Sequence, residues 1–357
     1  MPPRLSFHPP LLNTASPWAT TEAHLRDLLL CPSTGAVTTR TSLIDGFPHS
    51  PDRHRYAFFD PATGKASSSG TFSGPPEDSN TNVIDAKDTA DAPLATLNTL
   101  GYSPLPLSQY LSIISSLASA STSDTPPKTI IISVTGSPAE ISTCHNLIQT
   151  FSSSTSCPFP LAMEINLSCP NIPNLPPPAY SSSSLTSYLD ALPSNTSIPI
   201  GIKIPPYTHA GQFDSLVASL LGTTTTTPSP TSFSISIPAS KLSFLTATNT
   251  LGSCILLDSF DSSGGYQETL PGEGIGGMAG PPLHPLALGN VATLRRRFDH
   301  EPRLVHLEII GVGGVYNGEG YKRMRHVGAR AVGIATALGR RGVEVFTSIE
   351  DEIKSAW

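Results

Sequence analysis

The segment of this chain best placed to do chemistry is Glu164-Ile165-Asn166-Leu167-Ser168-Cys169-Pro170-Asn171. An apolar run reads as a strand and breaks at a proline, with two amides and a thiol where it ends. A buried strand that delivers polar groups at its C-terminal end is how parallel α/β enzymes build active sites. Cys169 can be a small buried hydrophobe, a nucleophile or a general base. As a base it needs thiolate stabilisation, since a free thiol ionises only near pH ~8.5. Asn98 and Asn249 also lie at segment ends, each in an Asn-Thr-Leu-Gly tetrapeptide (98–101 and 249–252). A single Asn is more often a turn former. Four converging amides, Asn98, Asn166, Asn171 and Asn249, would recognise a planar ring bearing carbonyl, N–H and carboxylate groups.

Lys203, in Gly201-Ile202-Lys203-Ile204-Pro205-Pro206-Tyr207, sits inside an apolar strand pattern. Burying it is costly unless it meets an anionic or electron-rich partner. A salt-bridged barrel lysine is the structural alternative to a ligand role. Two late segments, Ile309-Ile310-Gly311-Val312-Gly313-Gly314-Val315 and Ala331-Val332-Gly333-Ile334-Ala335-Thr336, look like halves of a phosphate site. Glycines let backbone N–H groups approach a phosphate closely, although they also simply permit tight βα turns.

Positioning these residues requires strands alternating with helices. Strands are expected at Leu11–Ser16, Gly35–Ser42, Thr129–Val134, Ala162–Ser168, Ile198–Ile204, Ser243–Thr248, Leu307–Gly311 and Ala331–Ile334. Helical patterns fall at His24–Leu30, Ala139–Phe151, Leu185–Leu192, Phe213–Leu221, Pro285–Phe298, Gly318–Val327 and Val343–Lys354. Eight strands with helices between them give an α/β fold, a (β/α)8 TIM barrel with its ligands at the C-terminal face of the strands. A doubly wound sheet is the competitor, but no GxGxxG follows the first strand. The chain is expected to form one domain over 1–357. Gly46–Leu97 reads as an insertion-like loop, and Thr223–Ser232 and Asp258–Gly280 as further loops.

Composition narrows the function classes. A net charge of −6 with 21 basic residues argues against nucleic acid as partner. Five cysteines without a CxxC pair or a neighbouring His cluster fit a reduced, cytoplasmic protein with no metal site. No apolar run approaches the ~18 residues of a spanning helix, so no membrane is expected.

Taken together, these segments resemble the class 1 (cytosolic, fumarate-type) dihydroorotate dehydrogenases. The likeness runs through Asn13-Thr14-Ala15-Ser16, Asn98-Thr99-Leu100-Gly101, the Cys169 segment, the Lys203 segment, Asn249-Thr250, Gly274-Ile275-Gly276-Gly277, Gly311-Val312-Gly313-Gly314 and Ala335-Thr336-Ala337-Leu338. The resemblance implies an FMN oxidoreductase that converts dihydroorotate to orotate in pyrimidine biosynthesis, with fumarate reduced to succinate, as a homodimer. It implies that Cys169 is the base removing the C5 proton while C6 gives hydride to flavin N5. Arg40, Asn98, Leu100, Gly101, Asn166, Asn171, Asn249 and Thr250 would then hold the substrate. Ala15, Ser16, Arg40, Thr41, Asn166, Lys203, Thr248 and Gly277 would line the isoalloxazine and ribityl chain, and Gly313, Gly314, Ala335 and Thr336 would take the phosphate. Three positions depart from the family: Arg40 stands for a lysine, Tyr102-Ser103-Pro104 for Leu-Pro-Asn, and Ala335 for a glycine. A paralogue acting on another dihydropyrimidine or enoate, and a catalytically silent FMN-binding barrel, are the alternatives.

Overall fold

The computed structural model describes residues 2–71, 95–120, 127–172, 176–222, 237–259 and 264–357. Eight parallel strands close a barrel: β1 (Leu11–Asn13), β2 (Ala36–Thr38), β3 (Thr129–Val134), β4 (Leu161–Asn166), β5 (Ile200–Ile204), β6 (Phe244–Ala247), β7 (Glu308–Val312) and β8 (Ala331–Ile334). Each pairs with its neighbours in sequence, and β8 pairs back with β1. All eight expected strands are present. Helices wrap the outside: α1 (Glu22–Leu30), α2 (Leu107–Ser116), α3 (Pro138–Ser152), α4 (Ser182–Ala191), α5 (Ala210–Leu221), α6 (His284–His300), α7 (Gly318–His326), α8 (Thr336–Arg341) and α9 (Glu344–Ile353). Among the described residues, no helix is long and apolar enough to cross a membrane.

Strand parity decides what the barrel encloses. Ile130, Ile132 and Val134 of β3, Leu161, Met163 and Ile165 of β4, and Ile200, Ile202 and Ile204 of β5 join the main core beneath the helices. Side chains alternate along a strand, so the intervening residues point inward. Leu12, Ala36, Ile131, Ala162, Phe244, Ile310 and Ala331 form a separate apolar cluster, with Leu5 joining them from the N-terminal segment. One step nearer the C-terminal mouth the inward positions become polar: Ser133, Glu164, Lys203 and Thr246, all buried.

The first two strands are shorter than expected. Regular pairing stops after Thr38, where Arg40 donates its N–H to Ala19 O at 2.9 Å, and Ser42 returns to the barrel as a single parallel bridge to Val134. Backbone pairing between β1 and β2 is limited to Leu12 with Ala36. The Asn13 amide substitutes for the missing ladder, accepting from Thr38 N–H at 2.9 Å and donating to Thr38 O at 2.6 Å.

The span read as an insertion-like loop holds strands. Arg55–Phe59, Ala66–Thr71 and Ala95–Asn98 join Leu251–Ile255 and Ile275–Ala279 in a five-stranded antiparallel sheet. Gly274-Ile275-Gly276-Gly277, expected in a loop, thus lies mostly on a strand. Residues 72–94, 223–236 and 260–263 lie outside the described residues, so the Thr223–Ser232 loop is not characterised. Helix α2 was also missed. Its buried Leu107, Tyr110 and Ile114 have helical spacing, but the prolines just ahead of it read as a turn.

Gly201 shows how tightly the barrel floor is filled. A Cβ there would lie 2.3 Å from the Phe244 ring, a rigid group that cannot bend aside. Gly201→Ala should therefore lose about 1–3 kcal/mol in urea unfolding, and Gly201→Ala/Phe244→Leu should recover part of that loss. A fully additive double variant would show that the two positions do not press on each other.

Candidate active site

A cavity of about 350 Å³ opens at the C-terminal ends of the barrel strands, beneath the five-stranded sheet. Every residue expected to bind substrate or cofactor lines it except Gly277. Gly277 lies behind the wall: its carbonyl accepts from Asn98 Nδ2 at 3.0 Å, and a Cβ there would meet Thr250 Oγ1 at 2.2 Å. Gly277 thus shapes the pocket by letting Thr250 and Asn98 close in.

The four amides converge in two groups. Asn171 Nδ2 donates to Asn98 O at 3.1 Å, Asn98 Oδ1 at 2.9 Å and Leu100 O at 2.9 Å, joining the Cys169 loop to the antiparallel sheet. Asn166 Nδ2 donates to Thr41 Oγ1 at 3.0 Å, and Asn166 Oδ1 accepts from Ser168 Oγ at 2.7 Å. Asn249 Nδ2 donates to that same Ser168 Oγ at 2.9 Å. Thr41 continues the chain to Ser133 at 2.9 Å, and Ser133 donates to Glu164 Oε1 at 2.9 Å. Thr246 donates to the other Glu164 oxygen at 2.6 Å. Barrel interior and pocket wall are therefore one hydrogen-bonded network, in which each polar group is oriented by the next.

Two cations border the thiol. Lys203 is 3% exposed and makes one long hydrogen bond, to Thr14 Oγ1 at 3.3 Å. Burial pushes its pKa down, while the Glu164 charge and Cys169 hold it up. Arg40 donates to Gly101 O at 3.2 Å. Burial lowers its pKa to about 10, so it remains a cation at neutral pH. Cys169 is pushed up by burial and drawn back by the Asn171 backbone N–H, Lys203, Arg40 and Tyr102. His49, in the loop beyond Arg40, is depressed to about 4 by burial, then by the Arg40 and His54 charges. At neutral pH it is therefore neutral beside a charged arginine.

The far end of the cavity is built from backbone. Gly313 and Gly314 follow β7 with φ of +140° and +69°. A Cβ on Gly314 would come within 2.6 Å of Gly280 O, so a side chain is excluded sterically as well as by conformation. Ala335 and Thr336 follow the adjacent strand β8, and Thr336 shares a hydrogen bond with Thr96 at 3.1 Å. Two hydroxyls expected at the cofactor, Ser16 Oγ and Thr248 Oγ1, are buried with no hydrogen-bond partner among the described residues. Buried polar atoms are normally paired. Together with the under-partnered Lys203 ammonium, they fit a planar, electron-rich ligand with acceptor atoms along its edge, as FMN has.

Sequence reasoning missed Trp18, Tyr56, Tyr102, Arg340 and Arg341, all in the cavity wall. It also missed the inward layer of Ser133, Glu164 and Thr246. The alternation of Ala162, Glu164 and Asn166 was the signal for that layer, because it puts Glu164 on the same face as the recognised Asn166.

A family model described as dihydroorotate dehydrogenase matches residues 85–357. The chain is 30% identical over 268 residues to a Streptococcus uberis protein provisionally named dihydroorotate dehydrogenase A (fumarate), spanning 74% of each. It is 29% identical over 263 residues to the dihydroorotate dehydrogenase (fumarate) of Trypanosoma cruzi, spanning 73% of each. The crystal structure of ligand-free DHODH from Eimeria tenella shares the fold, with a TM-score of 0.62 at 16% identity over 99% of this chain and 86% of that one.

The interior charge of Glu164 has a measurable consequence. Burial depresses Lys203 from its usual 10.5, so the unfolded chain takes up that proton first and stability falls as pH drops below about 10. Glu164→Gln deletes the anion that offsets this. The variant should lose about 3–5 kcal/mol at neutral pH, with the deficit shrinking as pH rises toward 10. A deficit that ignores pH would assign the loss to the Ser133 and Thr246 hydrogen bonds instead of to Lys203.

Proposed function

The chain belongs to the dihydroorotate dehydrogenase family, and from that premise we propose that it oxidises dihydroorotate to orotate in pyrimidine biosynthesis with FMN as its cofactor. The observation that carries the reading is the convergence of Cys169, four amides, Lys203 and two unpartnered hydroxyls on one cavity. A catalytically silent barrel is disfavoured by the intact set. The reading includes fumarate as acceptor, after the fumarate-named relatives, a cytoplasmic location and a homodimer.

Bound in this cavity, FMN would supply an acceptor for the hydride from C6 of the substrate. Ser16, Thr248 and Lys203 would hold its ring edge by donating to carbonyl and ring-nitrogen acceptors. Gly313, Gly314, Ala335 and Thr336 would take the phosphate through backbone N–H groups and one hydroxyl. The protein's own chemical step is proton removal. Cys169, as thiolate, takes the C5 proton, and Lys203 and Arg40 favour that charged form by lying beside it. Asn98, Asn166, Asn171 and Asn249 would exchange part of their mutual bonding for the carbonyl and N–H groups of the ring. Arg40 would grip the carboxylate, a task for which a guanidinium offers two parallel donors where lysine offers one point charge.

Three outcomes test this reading. The protein should purify yellow and release FMN on denaturation; a colourless chain that cannot be reconstituted with FMN would overturn the cofactor assignment. Cys169→Ala should keep its FMN yet slow anaerobic flavin bleaching by dihydroorotate roughly 10²–10⁴-fold. In the parent that rate should rise with pH as the thiol ionises.

Arg40 is tested separately, by titrating flavin absorbance with orotate. Arg40→Ala should weaken orotate binding by about 2–5 kcal/mol. Arg40→Lys should raise dihydroorotate turnover with FMN content unchanged. Undiminished orotate affinity in Arg40→Ala would remove Arg40 from the substrate site.

A further inference from the structure

The glycine turn after β7 is gripped from behind the cavity. His284, the first residue of α6, is buried, and its Nδ1 lies 2.7 Å from Gly313 O. Its other ring nitrogen, Nε2, meets Arg323 Nε of α7 at 3.2 Å. A guanidinium donates and cannot accept. Nε2 must therefore be the bare nitrogen, and Nδ1 carries the hydrogen that goes to Gly313 O. Burial lowers the pKa of this imidazole, which keeps it in the neutral form. Arg323 thus fixes the one neutral tautomer able to hold that carbonyl.

The bond governs the N–H on the other side of the same peptide. Gly313 O and Gly314 N–H belong to one trans unit, in which carbonyl and N–H point in opposite directions. Gly313 and Gly314 line the cavity, whereas His284 and Arg323 do not. Drawing the carbonyl toward His284 therefore turns the Gly314 N–H to the cavity side, where it meets no acceptor among the described residues. Two adjacent glycines are the residues least able to hold a peptide plane by themselves, so the plane needs an outside contact.

We propose that His284 and Arg323 are positioning residues for the cofactor phosphate: Arg323 sets the tautomer, His284 holds the Gly313 carbonyl, and the Gly314 N–H is aimed before the ligand arrives. This rests on the FMN reading and deepens it, by naming what makes the barrel prefer a phosphorylated flavin over riboflavin. The packing is close enough to transmit the effect. A Cβ on Gly314 would lie 2.8 Å from His284 Cβ, and one on Gly313 would lie 2.4 Å from Ala287 Cβ, so α6 presses directly on the turn. Glu319, one turn earlier on α7, gives its carboxylate to Lys322 at 2.9 Å, which leaves the Arg323 Nε to the imidazole.

The test is a titration of the flavin-stripped full chain with FMN and with riboflavin, read by flavin fluorescence at neutral pH. His284→Leu removes the donor and should weaken FMN about tenfold, the worth of one hydrogen bond to a charged group, while riboflavin affinity holds. His284→Asn places an amide N–H where Nδ1 was and should restore most of the FMN affinity. Arg323→Ala should weaken FMN in the parent and change nothing in the His284→Asn background, because an amide has no tautomer to set. A charge effect of Arg323 acting at a distance would persist in both backgrounds, so equal losses there overturn the proposal, as do equal losses of FMN and riboflavin in His284→Leu. If His284→Leu does not fold, the Arg323 comparison decides alone. A parent that binds riboflavin as tightly as FMN overturns the phosphate assignment of the turn and this inference with it, and a parent that binds neither overturns the flavin reading itself.

Discussion

The rest of this site depends on one burial. Strand parity places the Lys203 ammonium inside the barrel, where desolvation would drive off its proton or unfold the chain. Glu164, on the neighbouring strand, supplies the opposing charge, and its two oxygens are in turn satisfied by Ser133 and Thr246 from the strands on either side of β4 and β5. The layer is therefore polar because it contains a lysine, and the layer below it is apolar because it contains none. From Ser133 the hydrogen bonds run outward through Thr41 to Asn166, Ser168 and Asn249. The lysine's need for a counter-charge thus orients side chains in the pocket wall.

The second constraint is the antiparallel sheet over the mouth. Asn98 pairs there with both Tyr56 and Gly277, so three distant segments fix one amide of the cavity wall. Asn171, in the loop of the thiol, then attaches to that strand end through three acceptors. A shift of one residue in this sheet would turn Asn98 to the opposite face and release the Cys169 loop. The barrel sets where Cys169 starts, and the sheet sets where its loop ends.

The barrel was legible because its strands are fully buried apolar runs between clear helical patterns, and both signals are local. The cavity-lining residues at its strand ends, Asn166, Lys203, Thr248 and the glycines after β7, were legible for the same reason. The sheet over the mouth was not, since its strands are short and their partners can lie far away in sequence, as with Asn98 and Gly277, 179 residues apart. Arg55-Tyr56-Ala57-Phe58-Phe59 carries a strand composition, but polar and proline-rich surroundings masked it. Glu164 was overlooked because one carboxylate in a strand has no meaning until parity shows Lys203 facing it. Tyr102 looked like a mere departure from a family pattern, and only the fold brings its ring to Phe47 and into the wall of the cavity.

Arg40 and Tyr102, both read in the sequence as departures from the family pattern, fall on the two sides of one contact, since Gly101 O accepts from the arginine and Tyr102 is the next residue. A guanidinium is broader than an ammonium, and it spends one arm on that carbonyl. This anchors the loop from below while Phe47 closes on it from above. Burial first, and the arginine's charge second, push both His49 and His54 down, so the aromatic cluster over the loop adds no competing charge at neutral pH. The two substitutions are physically coupled. The arginine holds the carbonyl of Gly101, and Tyr102 next to it packs on Phe47 with the backbone fixed by that contact.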